Sequence, residues 1–234
     1  MDRITRKTLK GDRFATEVTH SVEYIAEHRR QSILYGGIIA AVLAIGLGSY
    51  FYWQHRNTLA HDALYHALET YRATVSQQEQ AGHITFRTAA EKYNKALKDF
   101  GAVTKDFPRT TEGKIARYYI GLVYYEMGNV ADAQKQLEKL LAERHDNVLA
   151  LARFTLAEVY ISQGKDAEAL KIYDYLMKHP TDMVPEGRVQ LAMARYLRPR
   201  KPEEARKLLQ ELLKRPGPIA AAAANMLRDL AQPQ

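Results

Sequence analysis

The sequence predicts an all-α protein: a transmembrane helix near the N-terminus, then a solenoid of helix-turn-helix repeats closed by a C-terminal capping helix. Three observations predict it. Ser32–Trp53, SILYGGIIAAVLAIGLGSYFYW, runs 22 residues without a charge. From Gln54 onward the apolar residues keep helical spacing, with no alternating run long enough for a strand. And IGLVYYEMGNVADA, Ile120 to Ala133, returns 36 residues later as LAEVYISQGKDAEA, Leu156 to Ala169.

Composition sets the outer bounds. With 234 residues, 46% hydrophobic and 26% charged, the chain is globular in character and long enough for a real core. It has no cysteine, which excludes disulfides, thiol catalysis, cysteine-ligated metals and a lipoprotein anchor.

The uncharged run measures about 33 Å as a helix, enough to cross a hydrocarbon core of about 30 Å. Tyr50, Phe51, Tyr52 and Trp53 end it in an aromatic belt, and Arg29, Arg30 and Arg56 bracket it. A signal peptide has a shorter apolar stretch that ends in small residues, so a retained span is expected here. Residues 1–31 carry Arg3, Arg6, Lys7, Lys10, Arg13, Arg29 and Arg30, whereas the next twenty residues after the span carry Arg56 and Arg72. The positive-inside rule places the N-terminus in the cytoplasm and the remainder outside, which in a bacterium means an inner-membrane anchor and a periplasmic domain. Phe14, Val18, Val22 and Ile25 lie at helical spacing and mark a short amphipathic helix in the cytoplasmic tail. Within the span, Gly36, Ala40, Ala44 and Gly48 form a stripe of small residues, a candidate contact for a neighbouring membrane helix.

Beyond the span, a first helix is expected over 56–79, with Leu59, Ala63 and Ala67 on its apolar stripe. A second follows through Ala89, Tyr93, Ala96, Leu97 and Phe100 and stops near Phe107-Pro108. These form an irregular first unit, 56–108. Repeats then cover 114–149, 150–185 and 186–216, with a cap over 218–231. The third copy, AMARYLRPRKPEEA from Ala192 to Ala205, keeps register: Tyr196 lies 36 after Tyr160, Ala205 36 after Ala169, and Pro216 36 after Pro180. Its turn glycine is replaced by Arg200, but Pro202 followed by Glu203 and Glu204 is a good helix start. Gly121, Ala133, Ala157, Ala169 and Ala205 are small where paired helices must approach, and Tyr124, Tyr160, Tyr173 and Tyr196 fill the adjoining space. Such a unit buries its apolar face only by stacking on its neighbours.

This skeleton resembles the tetratricopeptide repeat (TPR). Ile120, Gly121, Tyr124, Gly128 and Ala133 match its signature, as do Leu156, Ala157, Tyr160, Gly164, Ala169, Tyr173 and Pro180. The whole layout, together with KYNKALKDFGAVTKDFP (Lys92 to Pro108), resembles the YfgM-like ancillary subunit of the bacterial SecYEG translocon. That resemblance implies a membrane-tethered partner of the translocon, associated with periplasmic chaperones and emerging chains.

In TPR solenoids the first helix of each unit lines a concave face. Here it would present Ile115, Tyr118, Leu122 and Tyr125, then Leu151, Phe154, Glu158 and Ile161, then Gln190, Ala194 and Leu197. Either these form a protein-binding groove suited to an apolar or amphipathic segment, or a neighbouring helix covers them as core. Arg195, Arg198, Arg200, Lys201, Arg206 and Lys207 concentrate charge in the third unit, as a site for an acidic partner or as a solvated helix face. The topology argues against nucleic acid. Catalysis has no support: there is no glycine-rich phosphate loop, HExxH or GxSxG, and His61 and His66 are spaced too far round the helix to share a metal. No cofactor or metal is expected.

The expected role is thus a non-enzymatic, membrane-anchored interaction module, an accessory or chaperone-like subunit at the protein-export machinery. The alternatives are an envelope scaffold for division, outer-membrane assembly or secretion components, and a structural, self-associating membrane protein. On the self-association reading, the double variant Ala40→Leu, Ala44→Leu dissociates in a membrane crosslinking assay. An unchanged association state in that variant eliminates the reading.

Overall fold

The computed structural model describes residues 29–77, 84–142, 148–215 and 217–231. The amphipathic helix expected around Phe14 to Ile25 lies outside them. The chain divides into two compact units, Met1–Arg56 and Asn57–Gln234.

Helix α1 is Arg29–Arg72. Within the first unit its large apolar side chains are exposed all round, from Ile33 at 65% through Ile45 at 72% to Trp53 at 50%. It is the one helix among the described residues long and apolar enough to cross a membrane. A uniformly apolar surface without a polar face is stable against lipid and unfavourable against water.

The second unit is the all-α solenoid that the repeats predict. It begins with α1 from Asn57, where Ala60, Leu64 and Ala67 are buried and Leu59 is 45% exposed. The buried stripe is therefore shifted from the expected one. The expected helix through residue 79 ends at Arg72 instead. Thr74–Val75 (β1) then pairs in parallel with Thr85–Phe86 (β2), two residues each, too short for any sequence periodicity to reveal.

The remaining helices are α2 (Ala89–Asp106), α3 (Thr111–Glu126), α4 (Val130–Leu141), α5 (Val148–Ser162), α6 (Asp166–Lys178), α7 (Glu186–Leu197), α8 (Pro202–Leu212) and the cap α9 (Pro218–Ala231). Local chemistry sets their ends. Thr88 accepts from the Glu91 N–H while Glu91 accepts from the Arg87 N–H, a reciprocal cap one residue out of the usual register. Thr110 accepts from the Gly113 N–H at 3.1 Å and donates to the Phe107 carbonyl at 3.1 Å, closing the α2–α3 corner.

The two glycine turns are copies. Asn129 N–H bonds Tyr124 O at 2.9 Å, and Lys165 N–H bonds Tyr160 O at 2.8 Å. Gly128 and Gly164 take φ of 76° and 74°, the left-handed conformation such turns require. In the third copy Arg200 N–H bonds Leu197 O as Gly164 N–H bonds Ile161 O, but Lys201 N–H also bonds Leu197 O. Losing the glycine shifts the second turn bond by one residue.

Among the described residues four apolar clusters follow the chain in order. Phe100 and Val123 anchor α1–α3; Leu137 and Leu156 join α3–α5; Tyr173 and Val189 join α5–α7; Leu209 and Ala223 join α7–α9. Ala133, Ala157, Ala169 and Ala205 are fully buried, at the positions where the sequence places small residues.

Two glycines are required by close approach. A Cβ on Gly121 would lie 2.8 Å from the Leu137 side chain, and one on Gly113 would lie 2.0 Å from the Phe107 carbonyl oxygen. Gly121→Ala is expected to cost about 1–3 kcal/mol, since Leu137 can give way. Gly113→Ala should cost more, because backbone must move, and Gly164→Ala about 1 kcal/mol for its positive φ. Circular dichroism melts of the three variants should give the largest loss for Gly113→Ala and the smallest for Gly164→Ala. A Gly113→Ala variant that melts like the parent would refute the tight corner.

Candidate protein-binding groove

The first helices of successive pairs meet directly: the Tyr118 hydroxyl on α3 lies 3.4 Å from the Thr155 hydroxyl on α5. The structure separates the candidate groove residues into two groups. Tyr118 and Phe154 are buried at 6% and 5%, and Ala194 is fully buried among Leu209, Leu212 and Ala223. The Phe154 ring packs 6.0 Å from the Tyr173 ring, and the Arg188 guanidinium lies 4.7 Å from its centroid. These three are core. Ile115, Leu122, Tyr125, Leu151, Glu158, Ile161, Gln190 and Leu197 are half-buried.

Three of the half-buried residues come together. Tyr125, Glu158 and Ile161 line a cleft of about 300 Å³ with Tyr173 from α6 and Ala192, Arg195 and Tyr196 from α7. Pro199 and Arg200 of the α7–α8 turn complete it. The sequence assigned Tyr173 to packing and Arg195 to a basic patch. A tyrosine where phenylalanine would pack as well is the signal that could have brought Tyr173 to notice.

The electrostatics of the cleft centre on Glu158. Burial pushes its carboxyl pKa up, against the opposing pull of Arg195 and Arg188. Arg195 Nη1 stands 3.4 Å from its Oε1, long for a charge-assisted hydrogen bond. Tyr173 is fully buried, and its hydroxyl has no hydrogen-bond partner among the described residues. Burial, then the Glu158 charge, raise the pKa of that hydroxyl, and they raise the Tyr125 hydroxyl for the same reasons. All three groups therefore hold their protons more tightly than they would in water.

The basic patch is largely internally neutralised. Arg195 pairs with Glu158, Arg198 with Asp229 at 3.8 Å, and Arg200 with Asp166 at 3.3 Å. Lys201 pairs with Glu204 at 2.9 Å and Arg206 with Glu203 at 3.9 Å, leaving Lys207 exposed on α8. Such exposed pairs contribute about 0–1 kcal/mol each to stability, but they remove most of the patch's positive field. In α1, Gly36, Ala40, Ala44 and Gly48 are exposed, and a Cβ on Gly36 or Gly48 would meet nothing within 4 Å. Among the described residues no group of three or more His, Asp and Glu could hold a metal ion. Nothing in the fold points to catalysis.

A family model described as a tetratricopeptide repeat-like domain matches residues 27–181. Among solved structures the chain is similar to the TPR-like repeats of a Podosopora anserina putative kinesin light chain, at 18% identity and TM-score 0.46, covering 60% of this chain and 78% of that one. A point variant of those repeats gives 16% identity and TM-score 0.52, covering 75% and 86%. At these identities the likeness shows the fold alone. No curated protein matches the chain.

Glu158 makes stability depend on pH. Its folded pKa lies above its unfolded value, so folding takes up a proton and its favourable contribution is lost as pH rises through the folded pKa. Glu158→Gln should therefore melt close to the parent near pH 4 and above it at pH 7, as thermal unfolding at both pH values will read. A variant less stable than the parent at pH 7 would mean that the Arg195 pair outweighs desolvation.

Proposed function

Because the chain belongs to the tetratricopeptide repeat-like domain family, whose match covers well over half of it, we propose that it is a membrane-anchored protein-interaction module serving the bacterial protein-export machinery as an accessory or chaperone-like subunit. The TPR-like fold supports protein–protein interaction as the activity. One observation carries the anchored form of this reading. The family match begins at residue 27, ahead of the exposed apolar run, and continues into the repeats. Span and solenoid falling within one family pattern supports their working as one unit.

On this reading α1 holds the solenoid at the inner membrane with the N-terminus cytoplasmic, which the basic residues before the span favour. The repeats then face the periplasm beside the site where exported chains emerge. The half-buried residues Leu122, Tyr125, Leu151 and Ile161 receive partner segments: translocon subunits, periplasmic chaperones or the exported chains themselves. An apolar surface with a few polar groups suits segments that are amphipathic and not yet folded.

Photocrosslinking in the native host tests this, with probes at Leu122 and Ile161 and a control at Lys207. Adducts with translocon subunits, chaperones or many exported chains are expected from the two groove positions and not from the control. A single folded envelope protein at both would replace the export role by the scaffold role. Adducts only within the chain would mean that the groove is closed to partners.

A further inference from the structure

We propose that the cleft between α5, α6 and α7 takes an acidic side chain of a partner segment, an Asp or Glu set among apolar residues, whose carboxylate pairs with Arg195 and Arg200. This rests on the groove reading above and names the chemistry that one part of the groove selects.

The charge of the lining is the first observation. Arg195 and Arg200 line the cleft with the single acid Glu158, a sum of +1, and Asp166, the acid paired with Arg200, is not among the lining residues. Both arginine side chains are open to a guest, at 66% and 42% exposed, whereas the Glu158 side chain is 25% exposed. A carboxylate entering the cleft therefore meets the cations before it meets the acid. A cationic guest would face two guanidiniums, and a neutral one would gain nothing from them.

How the two arginines are held is the second. Arg200 is fixed: its guanidinium lies 4.2 Å from the Tyr196 ring centroid, donates to the Tyr196 carbonyl at 3.2 Å and reaches Asp166 at 3.3 Å. Arg195 reaches Glu158 at 3.4 Å, longer than a charge-assisted hydrogen bond. It can therefore turn its planar fork to a guest carboxylate that offers two oxygens at shorter range. A fixed cation positions the guest and a looser one closes on it. Ile161, Ala192 and Pro199 supply apolar wall for the residues beside the acid. At about 300 Å³ the volume sits at the lower limit of ligand pockets, suited to a side chain.

Glu158 makes the recognition depend on pH. It is faced by Arg195 and Arg188 from α7, by the Tyr173 hydroxyl from α6, and by the Tyr125 and Tyr118 hydroxyls from α3. Burial raises the pKa of all three hydroxyls, so they stay protonated. Burial also pushes the Glu158 carboxyl up, and a guest carboxylate beside it pushes further the same way. The guest therefore favours the neutral acid, and seating it draws a proton from solvent onto Glu158. Affinity rises as pH falls, until the guest's own carboxyl titrates at about 4.3.

The test uses the full chain in nanodiscs of zwitterionic lipid, titrated by calorimetry with empty nanodiscs as the blank. Pentapeptides acetylated and amidated at their ends carry a central Glu, Gln or Lys between two leucines. At pH 6 the Glu peptide should bind about tenfold tighter than the Gln peptide, and the Lys peptide weakest. Its affinity should rise about three- to tenfold from pH 8 to pH 5.5. Binding heats in buffers of different ionisation enthalpy should show the proton taken up. Arg195→Gln should weaken the Glu peptide about tenfold and leave the Gln peptide unchanged. Glu158→Gln should tighten the Glu peptide about three- to tenfold at pH 8 and remove its pH dependence. A Gln or Lys peptide as tight as the Glu peptide, or no binding of any peptide, overturns the proposal. So does an unaffected Glu peptide in Arg195→Gln, or one bound no tighter at pH 8 by Glu158→Gln. If the crosslinking probes capture partners but the Glu peptide does not bind, the carboxylate subsite alone falls. If the Glu peptide binds as expected while the probes react only within the chain, the wider groove reading falls and the subsite stands.

Discussion

The close approach of the two helices in each pair is the constraint on which the solenoid depends. At Gly121 the gap to Leu137 leaves no room for a Cβ. At the matching places along the chain Ala133, Ala157, Ala169 and Ala205 are fully buried. Packing at that distance gives each pair a fixed geometry, and a fixed geometry repeated at a fixed spacing stacks into a solenoid. The turns follow from the same need: two helices that close together can be joined only by a short, tightly wound connection, which is why Gly128 and Gly164 sit in the left-handed region.

Stacking then orders everything else. Each apolar cluster is shared by neighbouring helices, so no pair owns a complete core. Polar latches bridge the pairs at their edges. Tyr160 donates to Glu138 at 2.9 Å, and Tyr196 donates to Asp166 at 3.0 Å, each ring also capped by a cation from its own turn, Lys165 and Arg200. The tyrosines of the repeat thus do two jobs: the ring fills space and the hydroxyl reaches back one pair. Tyr173 has the ring's role without the hydroxyl's partner, and this difference marks the cleft it lines.

The charged residues of the third pair resemble a basic site in sequence, and in the fold they find acids on neighbouring helices in a web of weak, exposed pairs. What remains distinctive is a small cleft in which the desolvated Glu158 carboxylate makes a long contact with Arg195.

The sequence by itself determined the repeat period, the paired helices, the glycine turns, the proline start of α8 and the apolar run of α1. Each depends on interactions within a few residues or on composition, which a single chain displays directly. Tertiary structure decided the rest. In α5 nine of fifteen positions are buried, because the helix packs against its own partner and against both adjacent pairs; Phe154 therefore became core while Glu158 and Ile161, one and two turns further along, stayed at the cleft. Helical periodicity says which residues share a face, and it cannot rank faces on a helix enclosed from several sides. The pairings of Arg195 with Glu158 and of Arg200 with Asp166 span 37 and 34 residues, so they exist only once the pairs have stacked. Stacking brings distant charges within reach, and for that reason the fold was legible in one dimension and the cleft only in three.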